Sequence, residues 1–309
     1  MHVLVVGSLN MDLVVRMPQI PRPGETLLGG IFKTFPGGKG ANQAVAAARL
    51  GAKVTMIGCV GSDAFGREML EMLAREGIDT THIRVHPDFA TGVALIQVDD
   101  QGQNSIAVAS GANFQLTGED VENAIRSMED FEVLVMPLEI PLETVYAAAQ
   151  MATQRGAKVL LNPAPAQILD RSLLELVDVL LPNEYEAALM TGLPSLQSEA
   201  DVRRAAEKLL ALGPKNLMIT MGSRGAILFE QNMESNISAF PVHVVDTTAA
   251  GDCFVGALAV ALCEGKTMAS AAEFASAAAA ISVTRNGAQP SLPCREEVTE
   301  FIKQRRGSK

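Results

Sequence analysis

The sequence predicts an α/β protein: a doubly wound, mostly parallel sheet flanked by helices, with a small β-sheet lid. Three observations predict it. From Gly111 onward, short apolar runs alternate with helical patterns, as strand–helix–strand crossovers require. Polar residues collect just after the apolar runs, where open α/β sheets hold ligands. Short β-like runs broken by Pro and Gly stand outside that alternation. The expected division is residues 1–12, 37–88 and 112–309 for the main domain and 13–36 and 89–111 for the lid. With 309 residues, 48% of them hydrophobic, the chain can bury a large core.

Val3 to Gly7 reads as a buried strand, and Asn10 and Asp12 fall just past its end. Val14 to Met17 and Leu27 to Phe35 are β-like, separated by Pro18, Pro21, Pro23 and Gly24. Phe35-Pro-Gly-Gly-Lys-Gly-Ala-Asn42 surrounds one lysine with glycines, which permits close backbone approach to a ligand. It is neither a Walker A loop nor GxGxxG: Gly40, not Ser or Thr, follows Lys39, and Gln43 holds the sixth position from Gly38. A helix over Ala41 to Leu50 follows, ended by Gly51. Strand Lys53 to Gly61 and helix Phe65 to Glu76 come next. His82 and His86 have helical metal-pair spacing, but their β-branched surroundings predict a strand, which would separate the rings by about 13 Å. Thr91 to Asp99 and Asn104 to Ala109 flank Asp-Gln-Gly and predict a hairpin completing a four-stranded lid.

Strands are expected over Glu132 to Leu138, Lys158 to Leu161, Val177 to Leu181 and Asn216 to Thr220, ending in Glu139, Asn162-Pro-Ala-Pro, Pro182-Asn-Glu-Tyr-Glu186 and Met221 to Gly225. Asn183 and Glu186 are candidates for holding Mg²⁺ through its waters; they also suit an N-cap and a first-turn acid. Phe240 to Val245 is strand-like, and Phe254 to Leu262 reads as a buried helix. Between them, Ala249, Ala250 and Gly251 form a candidate anion cradle, because a helix's first N–H groups lack partners and its dipole favours negative charge. Asp252 would then face the bound anion and could take the proton of an attacking hydroxyl; capping alone would also place it there.

Lys+Arg number 25 and Asp+Glu 35, a net charge of −10, which argues against nucleic acid or an anionic membrane as partner. No apolar run is long enough to span a bilayer, and the four cysteines are scattered, so free thiols and a cytoplasmic location are expected. Phosphoryl transfer fits the cradle, the carboxylate and the lid together.

In Gly7 to Asp12, Gly37 to Val45, Asn162 to Pro165, Pro182 to Glu186, Thr220 to Gly225, Asp246 to Asp252 and Thr284 to Ser291, taken in order, the chain resembles the ribokinase-type carbohydrate kinases from Val3 to Phe301. The resemblance implies ATP-dependent phosphorylation of D-ribose at its 5-hydroxyl. It implies Asp252 as catalytic base, with Ala249, Ala250 and Gly251 as anion hole. The sugar positions it implies are Asn10, Met11, Asp12, Gly38, Lys39, Gly40, Ala41, Asn42 and Glu139. Nucleotide and Mg²⁺ positions are Asn183, Glu186, Thr220, Met221, Gly222, Ser223, Arg224, Gly225, Gly251, Asp252 and Ser276. An activating K⁺ maps to Asp246, Thr248, Ser282, Arg285, Gly287 and Ser291, and the lid strands to a homodimer clasp. Cys253 stands where the family often has Thr, and Ser276 where it often has His or Asn.

The rival readings are a sibling kinase for 2-deoxyribose, fructose or adenosine, a sugar sensor without turnover, and a dinucleotide-dependent oxidoreductase. Few aromatics disfavour a nucleoside, the retained Asp252 disfavours the sensor, and the missing GxGxxG disfavours the oxidoreductase.

Overall fold

The structure, a computed structural model, describes residues 1–230 and 233–307. The chain opens with β1 (His2–Val6), β2 (Asn10–Arg16), β3 (Ile31–Gly37), α1 (Lys39–Arg49), β4 (Lys53–Gly61), α2 (Ala64–Arg75) and β5 (Asp79–His86). The hairpin β6 (Gly92–Val98) and β7 (Asn104–Ala109) follows. Next come α3 (Gly118–Ser127), β8 (Val133–Met136), α4 (Leu142–Gln154), β9 (Lys158–Leu161), α5 (Arg171–Leu174) and β10 (Val179–Leu180). Then α6 (Glu184–Thr191), α7 (Glu199–Leu210), β11 (Asn216–Thr220) and the hairpin β12 (Ala226–Glu230) and β13 (Met233–Ile237). The chain ends in α8 (Ala250–Cys263), α9 (Met268–Ser282) and α10 (Arg295–Gly307).

A nine-stranded sheet has the order β13-β12-β11-β10-β9-β8-β1-β4-β5; β12 alone runs against the rest, so its pairs with β11 and β13 are antiparallel and all other pairs are parallel. β1 and β8 are buried along their whole length, which is why they read as continuous apolar runs. Successive β1 residues feed opposite faces: Val3 and Val5 join a core with α1, α8 and α9, while Leu4 and Val6 join one with α3, α4 and α7. From β1 the chain builds outward to β4 and β5 on one side, then returns to β8 on the other. The switch point therefore lies between β1 and β8, and a crevice opens at their carboxyl ends. A second sheet, β3-β2-β6-β7, is joined to the first directly through the β1–β2 connection; its β2–β6 pair is parallel and its other pairs antiparallel.

The doubly wound sheet, the small sheet and the extended run holding His82 and His86 match expectation. Three elements differ. β2 opens at Asn10 rather than Val14, and β3 runs to Gly37, because cross-strand pairing of Asn10 with Gly37 overrides the weak local pattern. Phe240 to Val245 is not a strand. The N–H groups of Val245 and Asp246 both donate to the Val283 carbonyl, so this segment pairs with the end of α9, and the sheet edge belongs to β13. The β12–β13 hairpin was not foreseen; it begins at Gly225, whose φ of 89° a side chain would strain.

Candidate active site

The crevice is assembled from glycines that let main chains touch. Gly38 (φ 88°) caps α1, and a β-carbon there would stand 2.7 Å from the Asn10 nitrogen. One on Gly40 would stand 2.6 Å from the Ser8 nitrogen. The start of α1 therefore lies on the turn after β1, where Ala41 N–H donates to the Ser8 carbonyl at 3.0 Å. Glu139, just past β8, accepts from Ser8 Oγ at 2.5 Å and from Lys39 N–H at 3.1 Å through one oxygen. Asn10 Oδ1 accepts from Asn113 Nδ2 at 2.8 Å, and Asn113 also grips both main-chain polar groups of Leu9 (2.8 and 3.1 Å). Asp12 occupies the space a side chain on Gly37 would need.

Opposite stands the N-terminus of α8. Ala249 precedes it at φ 58° and offers no side-chain cap. Of the cradle, Ala250 N–H donates to Thr247 carbonyl at 3.2 Å, while Gly251 faces open space. Asp252, in the first turn, is buried. Its Oδ2 accepts from Asn42 Nδ2 at 3.0 Å and its Oδ1 from Gln43 Nε2 at 3.1 Å. Burial pushes its carboxyl up; Lys39 and the two amides oppose that.

A cavity of about 210 Å³ lies between Lys39 and the start of α8; Asn10, Asp12, Asn42 and Glu139 are not in its lining. Lys39, Asn183, Glu186, Thr220, Ala249, Ala250, Gly251 and Asp252 line it, together with Asn162, Ala164, Leu181, Thr247, Phe254 and Val255. Lys39 is held more firmly protonated, first by Asp252, with Glu139, Glu186 and Asp12 adding to this against the cost of burial. Burial, then Glu139 and Asp252, push Asp12 up to about 7, with Lys39 opposing. One ammonium thus serves four carboxylates, so this end of the crevice is rich in hydrogen-bond acceptors.

Asn183 and Glu186 form a capping box on α6, each side chain accepting the other's N–H at 2.8 Å. They cap the helix and line the cavity at once. Burial raises the Glu186 carboxyl. The Thr220 to Gly225 turn is closed by Met221 N–H on the Gly225 carbonyl at 2.7 Å, and Arg224 pairs with Glu184. Met221 and Arg224 line a separate cavity of about 200 Å³ with Glu199, Val202 and Asn236. Gly222 and Ser223 lie in the same turn, and Ser276 is buried on α9. Met11 and Ala41 are fully buried in the core, so their route to a ligand is the main chain.

The six candidate K⁺ residues fall on the loop before α8 and on the end of α9 with the loop after it, and the two meet. Asp246 accepts from Thr248 N–H (2.9 Å), Thr248 Oγ1 (2.6 Å) and Gly287 N–H (2.9 Å). Burial works to raise its carboxyl, and these bonds outweigh it. Arg285 N–H donates to the Ser282 carbonyl at 3.1 Å, and Ser291 Oγ to the Ala288 carbonyl at 2.7 Å. Arg285 also pairs with Glu297. All four cysteines are free. No helix among the described residues is long and apolar enough to cross a membrane.

Gln43, Asn113 and Ser8 are site residues with no motif of their own in the sequence, and Asn162 is marked there only by its place after a strand. A glutamine in an otherwise small-residue helix was the available signal for Gln43; Asn113 left none.

The site is thus a buried carboxylate at a helix N-terminus, beside a cavity lined from the carboxyl ends of β9, β10 and β11. The chain belongs to the pfkB family of carbohydrate kinases, whose sequence model matches residues 1–295. It is similar to a ribokinase of Haemophilus influenzae, 47% identical over 298 residues, covering 96% of this chain and 97% of that one. A deoxyribokinase of Salmonella typhi is 40% identical over 303 residues, covering 98% and 99%. The structure of Arabidopsis thaliana ribokinase complexed with ribose and ATP superposes with a TM-score of 0.88 at 34% identity, covering 97% of this chain and 98% of that one.

Proposed function

We propose that this carbohydrate kinase transfers the γ-phosphoryl group of ATP to the 5-hydroxyl of D-ribose. One observation carries the reading. Asp252 is buried, held by an amide on each oxygen, and stands beside the open first turn of α8. Sugar hydroxyls are held by Asn10, Asp12, Lys39, Asn42 and Glu139, with the main chain of Met11, Gly38, Gly40 and Ala41 closing around them. The γ-phosphate rests on the N–H groups from Ala249 to Gly251, Ala250 giving up its 3.2 Å bond to the Thr247 carbonyl, and these meet the charge that grows as the bond to ADP breaks. Asp252 takes the hydroxyl proton as that oxygen attacks in line. Thr220 to Gly225 and Ser276 hold the nucleotide.

Glu186 fits an outer-sphere Mg²⁺ position. One oxygen is engaged by Asn183 N–H, and the other meets no hydrogen-bond donor among the described residues. Mg²⁺ bound there would neutralise phosphate charge. The Asp246–Thr248 and Ser282–Ser291 loops, rich in carbonyl oxygens, would hold K⁺ and steady the cradle. The small sheet acts as a lid and, through exposed Ile31, Phe32, Leu95, Ile106 and Val108, as the homodimer contact. The scattered free thiols favour the cytoplasm.

The Salmonella typhi relative favours 2-deoxyribose as the second reading. ADP release from Mg·ATP with K⁺, over ribose, 2-deoxyribose, fructose and adenosine, tests both. Ribose is expected to give the highest kcat/KM. A preference for 2-deoxyribose would move the sugar assignment and keep the base.

A further inference from the structure

Asp252 is reached by a chain of amides whose direction is set at its far end. The Leu181 carbonyl can only accept, and Asn162 donates Nδ2 to it at 3.0 Å. Asn162 is thereby turned so that Oδ1 faces Gln43, which must answer with its NH₂ group (Nε2 to Oδ1, 3.1 Å). The second N–H of that same nitrogen points to Asp252 Oδ1 at 3.1 Å. Gln43 is fully buried, and Asn162 is 9% exposed. Gln43 Oε1 meets no donor among the described residues, so the orientation is set at Nε2, between the two acceptors Asn162 Oδ1 and Asp252 Oδ1.

We infer that Gln43 is a positioning residue for the phosphoryl transfer, and that Asn162, oriented by the Leu181 carbonyl, obliges Gln43 to present a donor to Asp252 and so keeps the base ionised and aimed. The inference rests on the proposed role of Asp252. A flipped Gln43 would offer an oxygen instead and favour the protonated acid. Other charged groups also face Asp252: Lys39 from α1, which supports the carboxylate, and Asp12 from β2, Glu139 and Glu186, which oppose it. None of these contacts Gln43 or Asn162 by hydrogen bond.

The test compares Gln43→Met, Asn162→Ala and Asp252→Asn by kcat, sugar and ATP KM, and the pH–rate profile. Gln43→Met is expected to lower kcat about 10- to 100-fold, as loss of a hydrogen bond to a charged group does, with both KM values within a few-fold. Its acid limb should move to higher pH. Asn162→Ala leaves α1 untouched, yet its limb should move the same way with a smaller loss of kcat. A lost kcat with an unmoved acid limb in both variants would reduce Gln43 to a packing role and overturn the inference, leaving the base assignment standing. Near-normal turnover in Asp252→Asn would overturn the base assignment first and the inference with it.

Discussion

Gly256 of α8 lies so close to Ala46 of α1 that a β-carbon added to the glycine would stand 2.7 Å from the alanine's own. It would also stand 2.7 Å from the Gln43 carbonyl oxygen. This contact lets Asn42 and Gln43 reach Asp252. Gly256→Val should force the helices apart, destabilising the fold by about 1–3 kcal/mol. Turnover should fall with the lost amide contacts. Thermal melting and kcat together check this; a wild-type melting temperature would show that the helices separate freely.

Asp252→Asn should cut turnover by roughly 10² to 10⁴ while sugar and ATP still bind. Calorimetric titration of each ligand alongside steady-state rates separates the two. Turnover within a few-fold of wild type would remove Asp252 from the chemistry.

Asp12 predicts a pH dependence of sugar binding. With its carboxyl pushed up to about 7 by burial first and then by Glu139 and Asp252, it takes up a proton as pH falls through neutrality and loses its strength as an acceptor. KM for the sugar should rise on that side, and Asp12→Asn should flatten the profile. Stability runs the other way. The folded pKa lies above the unfolded value of about 3.9, so this group's contribution is full below about pH 4 and is lost as pH rises through about 7. Denaturant titration of the ligand-free protein across that window reads it.

Exchanging K⁺ for Na⁺ should slow the reaction. Asp246→Ala, which frees Thr248 and Gly287, should lower the rate in K⁺ and erase the difference between the ions. Equal rates in the two salts for the unaltered protein would argue against a K⁺ site on these loops.

Phe32 and Ile106, 61% and 54% exposed on the small sheet, are the place to test assembly. Phe32→Asp with Ile106→Glu should yield a monomer by sedimentation. An unchanged sedimentation coefficient would place the dimer contact elsewhere or leave none.

What the sequence determined by itself was local. Short continuous apolar runs marked the strands because both faces of a parallel sheet are covered, and the helical patterns between them marked the crossovers that parallel strands need. Gly-Gly-Lys-Gly and Ala-Ala-Gly-Asp announced two close approaches, since few other residues tolerate them, and Asp252 could be read from its helix-start position. The strand expected at Phe240 to Val245 failed because β-branched residues mark extended chain, whether or not a neighbouring strand is there to pair with. Asn183 and Glu186 could be read as a cap or as site residues; the fold makes them both. Only the tertiary structure could decide that Asn42 and Gln43 serve Asp252, across sequence separations of 210 and 209 residues. It alone placed Asn113 behind Asn10 and oriented Asn162 by a main-chain carbonyl. A hydrogen bond between distant segments leaves no periodicity in either of them. Its existence depends on the packing of α1 against α8 over the switch point, and that packing is a property of the whole sheet.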